Sequence, residues 1–272
     1  MKKWACGFLM AAGWGLMVSA AFAASGEKSN QWEVGPEIYY FRYEEPALNV
    51  KEDGAMYGIA GAFTHHDINR WVFKADGHAA GGDVDYASTA SGSISGIRDY
   101  ALEGRLSAGY DIQLKENRTL TPFFGVGYRY LNDDSSGRTS SAGARGYERE
   151  SNYLYSPLGV EFNTPLNNAW KLGIGIEYDI FWSGTQKSHL EDVNSSFNLV
   201  SNDQNDGYGI RGSVKLTKKS ERFDVVVEPF IRWWSVKDSQ FSNVTFTGAI
   251  VGYAYEPKNE TLEMGGKVSF LF

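Results

Sequence analysis

The chain of 272 residues contains a single cysteine, Cys6, and only seven prolines. Beyond its first two dozen residues it has no apolar run of the ~18 residues that mark a membrane helix. A lone cysteine excludes a disulfide framework and a cysteine-ligated metal site. The mean hydropathy is negative, so a helical membrane protein is excluded as well. Basic charge is scarce: taking Lys2 and Lys3 from the 26 basic residues leaves 24 against 33 acidic ones, which argues against a nucleic-acid partner. Also missing are a glycine-rich phosphate loop, a serine nucleophile elbow and histidines at metal-binding spacing. No cofactor or metal is therefore expected.

What is present begins with an export signal. Met1-Lys2-Lys3 forms a basic start, Trp4 to Val18 is mostly apolar, and Ala21-Phe22-Ala23 supplies the small residues of a cleavage site. Residues 1–23 read as a signal peptide and 24–272 as the mature domain. The apolar run is too short for a transmembrane anchor, and Cys6 lacks the neighbours of a lipoprotein signal.

The mature chain is dominated by alternation. Between turn signals there are ten alternating segments, at about 31–43, 54–64, 69–79, 98–113, 118–131, 152–163, 169–183, 206–217, 221–236 and 260–272. In the seventh, Trp170, Leu172, Ile174, Ile176, Tyr178, Ile180 and Trp182 alternate with Lys171, Gly173, Gly175, Glu177 and Asp179. A strand of that length with an aromatic at each end exceeds what a soluble sheet ordinarily uses. At about 3.3 Å per residue and a tilt near 45°, the two tryptophans stand about 28 Å apart in height, close to the ~25 Å apolar band of a membrane barrel. Soluble sandwiches share alternation but place no aromatics at both ends of long strands. Pro122 and Pro229 fall inside strand patterns and read as local defects or strand ends.

The expected fold is all-β: a closed, antiparallel, up-and-down transmembrane β-barrel of about ten strands, and a monomer. The connections alternate in length. Residues 65–69, 115–117, 164–168 and 218–221 are tight, whereas 80–97, 132–150, 184–205 and 237–258 are long and polar, with 44–53 the shortest of the five outer connections. Short turns belong to the periplasm and long loops to the cell surface. The register turns Glu33, Glu37, Asp76, Glu103, Asp111, Glu161, Glu177, Asp179, Asp224, Glu228 and Glu263 inward, together with Lys74, Arg105, Arg129, Lys171, Arg211, Lys215, Arg232 and Lys267. In so narrow a cylinder these charges must pair, so a plugged, non-porin lumen is expected. His78 joins that network, while His65 and His66 are turn residues.

The last segment, from Leu262 to Phe272, resembles the closing strand of bacterial outer-membrane proteins, whose terminal Phe forms part of the signal read by the barrel-assembly machinery. That resemblance implies the bacterial outer membrane, with its lipid and lipopolysaccharide as surroundings. Ten strands with five outer loops also resemble the omptin family of surface proteases. The residues that carry this likeness are Asp83-Val84-Asp85 followed by Tyr86 on the second outer segment, His189 on the fourth, and the stretch from Gly146 through Phe162. It implies that Asp83, Asp85 and His189 flank a water at the barrel's mouth. The sequence departs from that family where it matters: Lys187 stands two residues before His189, in place of an aspartate, with Glu191 and Asp192 after it. Without that carboxylate the imidazole loses the partner that orients it. Proteolysis is therefore the second reading.

The first is a surface barrel whose long loops bind a ligand or partner, or which serves the envelope structurally. Arg138, Arg145 and Arg149 are the candidate contacts to lipopolysaccharide phosphates, although Asp133, Asp134, Glu148 and Glu150 outnumber them. Four sequons, at Asn117, Asn194, Asn243 and Asn259, carry no meaning in a bacterial envelope.

Overall fold

A computed structural model describes residues 29–272; the signal-peptide assignment lies outside the described residues. Ten long strands form the wall: β1 (Ser29–Glu45), β2 (Val50–His66), β3 (Trp71–Ser88), β4 (Gly92–Tyr110), β6 (Thr119–Asp134), β7 (Glu148–Pro165), β8 (Trp170–Ser188), β10 (Gly207–Lys218), β11 (Asp224–Val236) and β14 (Asn259–Leu271). Between them lie the short β5 (Ile112–Gln113), β9 (Val200–Gln204), β12 (Ser242–Phe246) and β13 (Ala249–Ala254). Each long strand pairs antiparallel with its neighbour, and β1 pairs with β14 in the register Glu37↔Lys267, which closes the cylinder. Among the described residues the ten-strand cylinder has no free edge, so its wall pairs strand to strand without needing water. No helix among the described residues is long and apolar enough to cross a membrane.

Period-two alternation sorts the two faces. Trp32, Val34, Ile38 and Tyr40 of β1, Ile174, Ile176, Tyr178, Ile180 and Trp182 of β8, and Met264, Val268 and Phe270 of β14 all lie on the outside, exposed. All the charges expected inside are buried or half-buried there except Lys171, which is exposed at the periplasmic end of β8. Asp224 differs in accepting a hydrogen bond from the Ser220 amide at 3.0 Å, which makes it a cap of the periplasmic turn. Pro122 and Pro229 sit within β6 and β11, inside paired ladders.

The strands run further outward than the alternation indicated. Residues 80–97 are not a loop: β3 and β4 continue through them and join by the three-residue turn 89–91, the shortest outer connection. The connection after β1 is also tight, at 46–49, and the third shrinks to 135–147. Above the ring of outward tyrosines Tyr40, Tyr57, Tyr100 and Tyr128, outward positions become Arg42, Asp53, Asp83, Arg98 and Asp134. There the outer face meets water, so polar residues stand on it while the inner face stays packed around residues such as Val84 and Ile97, and the apolar-outward period is lost while the ladder persists.

Candidate functional site

The lumen is filled in layers. Nearest the periplasm, Lys267 Nζ lies 2.7 Å from Glu33 Oε1 and 2.9 Å from Glu228 Oε2, with Lys215 Nζ 3.4 Å from Glu33. Next comes an arginine layer. Arg211 meets Glu103 at 2.6 Å and Asp179 at 2.6 Å, Arg105 meets Asp76 and Glu177 at 2.7 Å each, and Arg232 bridges Glu37 at 3.2 Å and Glu263 at 3.0 Å. Arg129, 1% exposed, bonds Glu263 and Glu103. His78 closes the ring with Nδ1 2.7 Å from Glu37 Oε1. Tyr155, whose hydroxyl donates to Glu103, and the rings of Tyr153, Phe181 and Trp234 stack over this layer. What is left open among the lower charges is about 140 Å³, large enough for a few waters.

Above the tyrosine ring, the outer strand ends form a cup of about 450 Å³ lined by Glu45, Glu52, Tyr86, Asp133, Tyr147, Arg149 and Glu256 among others. Arg149 lies at its centre: Nη2 is 2.9 Å from Glu45 Oε1, 2.7 Å from Glu256 Oε1 and 3.2 Å from the Tyr43 hydroxyl. Glu52 and Asp99 lie beside Asp133 at the floor. Burial, reinforced by Asp133, pushes the Asp99 carboxyl up to about 9. Burial likewise raises Asp133 to about 6 and Glu52 well above the usual carboxylate range, with Arg149 opposing both. Three carboxyls that close together share protons as a group. Burial also raises Glu256, against the pull of Arg149.

The residues singled out from sequence are dispersed. Asp83 and Asp85 belong to β3 itself and point outward, with Val84 between them buried inside; Asp85 accepts the Gly96 amide at 2.8 Å. His189 follows β8, with β4, β6 and β7 between it and β3 along the wall. Nothing brings the two aspartates and the histidine to one cleft. Of the arginines, Arg149 turns inward to the cup, exposed Arg138 donates to the Gly96 carbonyl, and Arg145 donates to the Val193 carbonyl at 2.9 Å. They share no face for a single phosphate, because each guanidinium bonds to a different element: Gly96 of β4, Val193 after β8, and Glu45 and Glu256 in the cup.

Several cup residues escaped the sequence reading. Asp99 shares the parity of Glu103 on β4 and was legible as inward; Glu45 and Glu52 were not, since they lie where alternation had faded. Glu256 reaches Arg149 from 107 residues away, which no local pattern records. His189 meets an unexpected set. Its Nδ1 lies 3.0 Å from Glu191 Oε1 and its Nε2 3.9 Å from Glu150 Oε1, and Glu148 is close by.

Comparison with known proteins accords with this architecture. The outer membrane protease OmpT of Escherichia coli is similar in structure, with a TM-score of 0.52 at 12% identity over 93% of this chain and 99% of that one. At that identity the likeness is one of fold alone. The toluene transporters TodX of Pseudomonas putida (TM-score 0.36, 11% identity, 92% of this chain and 90% of that one) and TbuX of Ralstonia pickettii (0.34, 8%, 89% and 88%) are more distant. No curated protein matches in sequence. The autotransporter beta-domain profile matches residues 11–230, most of the chain. A closed barrel with a lipid-facing belt and a charged interior resides in the bacterial outer membrane, and this chain belongs to the autotransporter beta-domain family.

Proposed function

We propose that this protein is a non-porin surface barrel of a Gram-negative outer membrane, a closed cylinder that holds an extracellular cup open to a small polar ligand. The observation that carries the reading is the arginine layer, in which Arg129, Arg211 and Arg232 tie strands on opposite walls through Glu37, Glu103 and Glu263. Ions crossing the barrel would have to break several buried ion pairs at once, and removing one partner of such a pair costs about 3–5 kcal/mol. The cup stands directly above this floor. Its acidic excess, Glu45, Glu52, Asp133 and Glu256 against Arg145 and Arg149, suits an amine- or hydroxyl-bearing ligand better than an anion.

Lipopolysaccharide and outer-membrane lipid surround the apolar belt in this reading, and Phe272 serves recognition by the assembly machinery. The orientation of Asp83 and Asp85 favours binding over an omptin-like protease, because a water held between them and His189 would need all three to face one cleft, and both aspartates point out of the wall. Refolded protein in planar bilayers tests the reading: no resolvable single-channel conductance is expected, and a stable open channel would overturn it. Incubation with dibasic peptides gives the second arm, with no cleavage expected.

A further inference from the structure

The outer end of β7 carries Glu148 and Glu150 on its outward face, and the register Arg149↔Ser188 sets them beside the residue that follows β8. That residue is His189, whose backbone amide donates to the Glu148 carbonyl at 2.9 Å. One ligand atom from each of Glu148, Glu150 and His189 lies within 4.8 Å of the others. Supporting groups fix these carboxylates. Asn132 Nδ2 donates to Glu148 Oε1 at 2.7 Å, the Tyr130 hydroxyl donates to Glu150 Oε1 at 3.3 Å, and Lys187 Nζ sits 3.1 Å from Glu150 Oε2.

The imidazole supplies a second observation. Nδ1 lies 3.0 Å from Glu191 Oε1, and a proton on Nδ1 donated to that carboxylate leaves Nε2 with its lone pair. Nε2 is shielded from solvent, makes no hydrogen bond, and faces the Glu150 carboxylate. An acceptor nitrogen facing an acceptor oxygen is repulsive unless a cation or a proton lies between them. Lys187 does not fill that place, because it binds the other oxygen of Glu150. A carboxylate on Nδ1 that holds Nε2 ready is also the arrangement that orients a metal-bound histidine.

We propose that Glu148, Glu150 and His189 form a binding site for a first-row divalent transition ion of the Zn²⁺ type, with Glu191 orienting the imidazole. One nitrogen and two carboxylate oxygens suit such an ion, and its fourth position would face water. A hard ion such as Ca²⁺ takes oxygen ligands and has no use for the imidazole. Zinc bonds of about 2.0–2.2 Å set tetrahedral ligand atoms roughly 3.4 Å apart, so the side chains must draw together by about 1 Å. The site lies above the tyrosine ring on the outside of the barrel. Its consequence is mechanical: an ion there would pin the start of the fourth outer connection to β7, next to Leu190 and Val200, which line the cup.

The test uses the tag-free chain 24–272, refolded in detergent and treated with chelator, titrated with ZnCl₂ by calorimetry. One ion per barrel is expected, with His189→Ala and Glu150→Gln each weakening binding at least tenfold and the double change His65→Ala/His66→Ala leaving it unaltered. Unchanged affinity in the His189→Ala protein, or loss of binding in the His65/His66 control alone, would overturn the proposal. Should the His189 variant fail to fold, X-ray absorption on the zinc-loaded wild-type protein decides: one imidazole in the coordination sphere supports the site, and an all-oxygen sphere refutes it.

Discussion

Arg129 on β6 bonds Glu263 on β14, a strand five positions away around the wall in either direction. The two residues therefore face each other across the full diameter of the cylinder. Neither is more than 1% exposed, and Glu103, Arg232 and Glu37 extend the contact to further strands. A barrel wall is held by its ladder; this bond holds its cross-section.

Arg129→Ala should lower stability by about 3 kcal/mol, because Glu263 and Glu103 would each lose a buried partner while keeping Arg232 and Arg211. Urea unfolding in lipid vesicles measures this. The double change Arg129→Met/Glu263→Gln should recover part of the loss, since it removes the charge left behind.

Gly127 faces Tyr155 across the β6–β7 ladder, and a methyl at Gly127 would overlap the Tyr155 ring. Gly127→Ala should displace that ring from Glu103 and destabilise the barrel by about 1–3 kcal/mol. Near-ultraviolet circular dichroism should show the altered aromatic packing at unchanged strand content.

Depth along the outer wall should be readable by arginine scanning. Ile176→Arg, midway along the lipid-facing row of β8, is expected to cost about 2–4 kcal/mol, falling to about 0–1 kcal/mol near an interface. Asp83→Arg, above the tyrosine ring, should be tolerated. Equal costs at both positions in vesicle-refolded protein would contradict the placement of the membrane.

The acidic floor of the cup should make stability fall with rising pH. Asp99 and Asp133 have folded values raised above the unfolded carboxyl value of 3.8, to about 9 and about 6. Their contribution is fully present below about pH 4 and is lost as the pH rises through these folded values. Asp99→Asn should therefore raise the unfolding midpoint at pH 8 and leave it nearly unchanged at pH 4. A gain of equal size at both pH values would remove this explanation.

Asp83 and Asp85 show how far the sequence could be read. Continuing the parity of Lys74, Asp76 and His78 along β3 puts Val84 inside and both aspartates outside, so their orientation was available once the strand was extended. It was missed because Gly81 and Gly82 read as a loop signal, whereas a barrel strand above the membrane keeps its ladder with any polar residue on either face. The lumen charges were legible for the opposite reason. Within the bilayer each outward residue must be apolar, so every charge there had one direction to point.

The sequence alone determined the barrel, its strand count, the lipid belt and the roster of buried charges, because all of these follow from period two under a single solvent rule. The tertiary structure decided which charges meet, that Arg149 belongs with Glu45 and Glu256, and that His189 belongs with Glu148 and Glu150. Those partners depend on strand register and barrel curvature, which are set by closing the ring as a whole and leave no trace in any local stretch of chain.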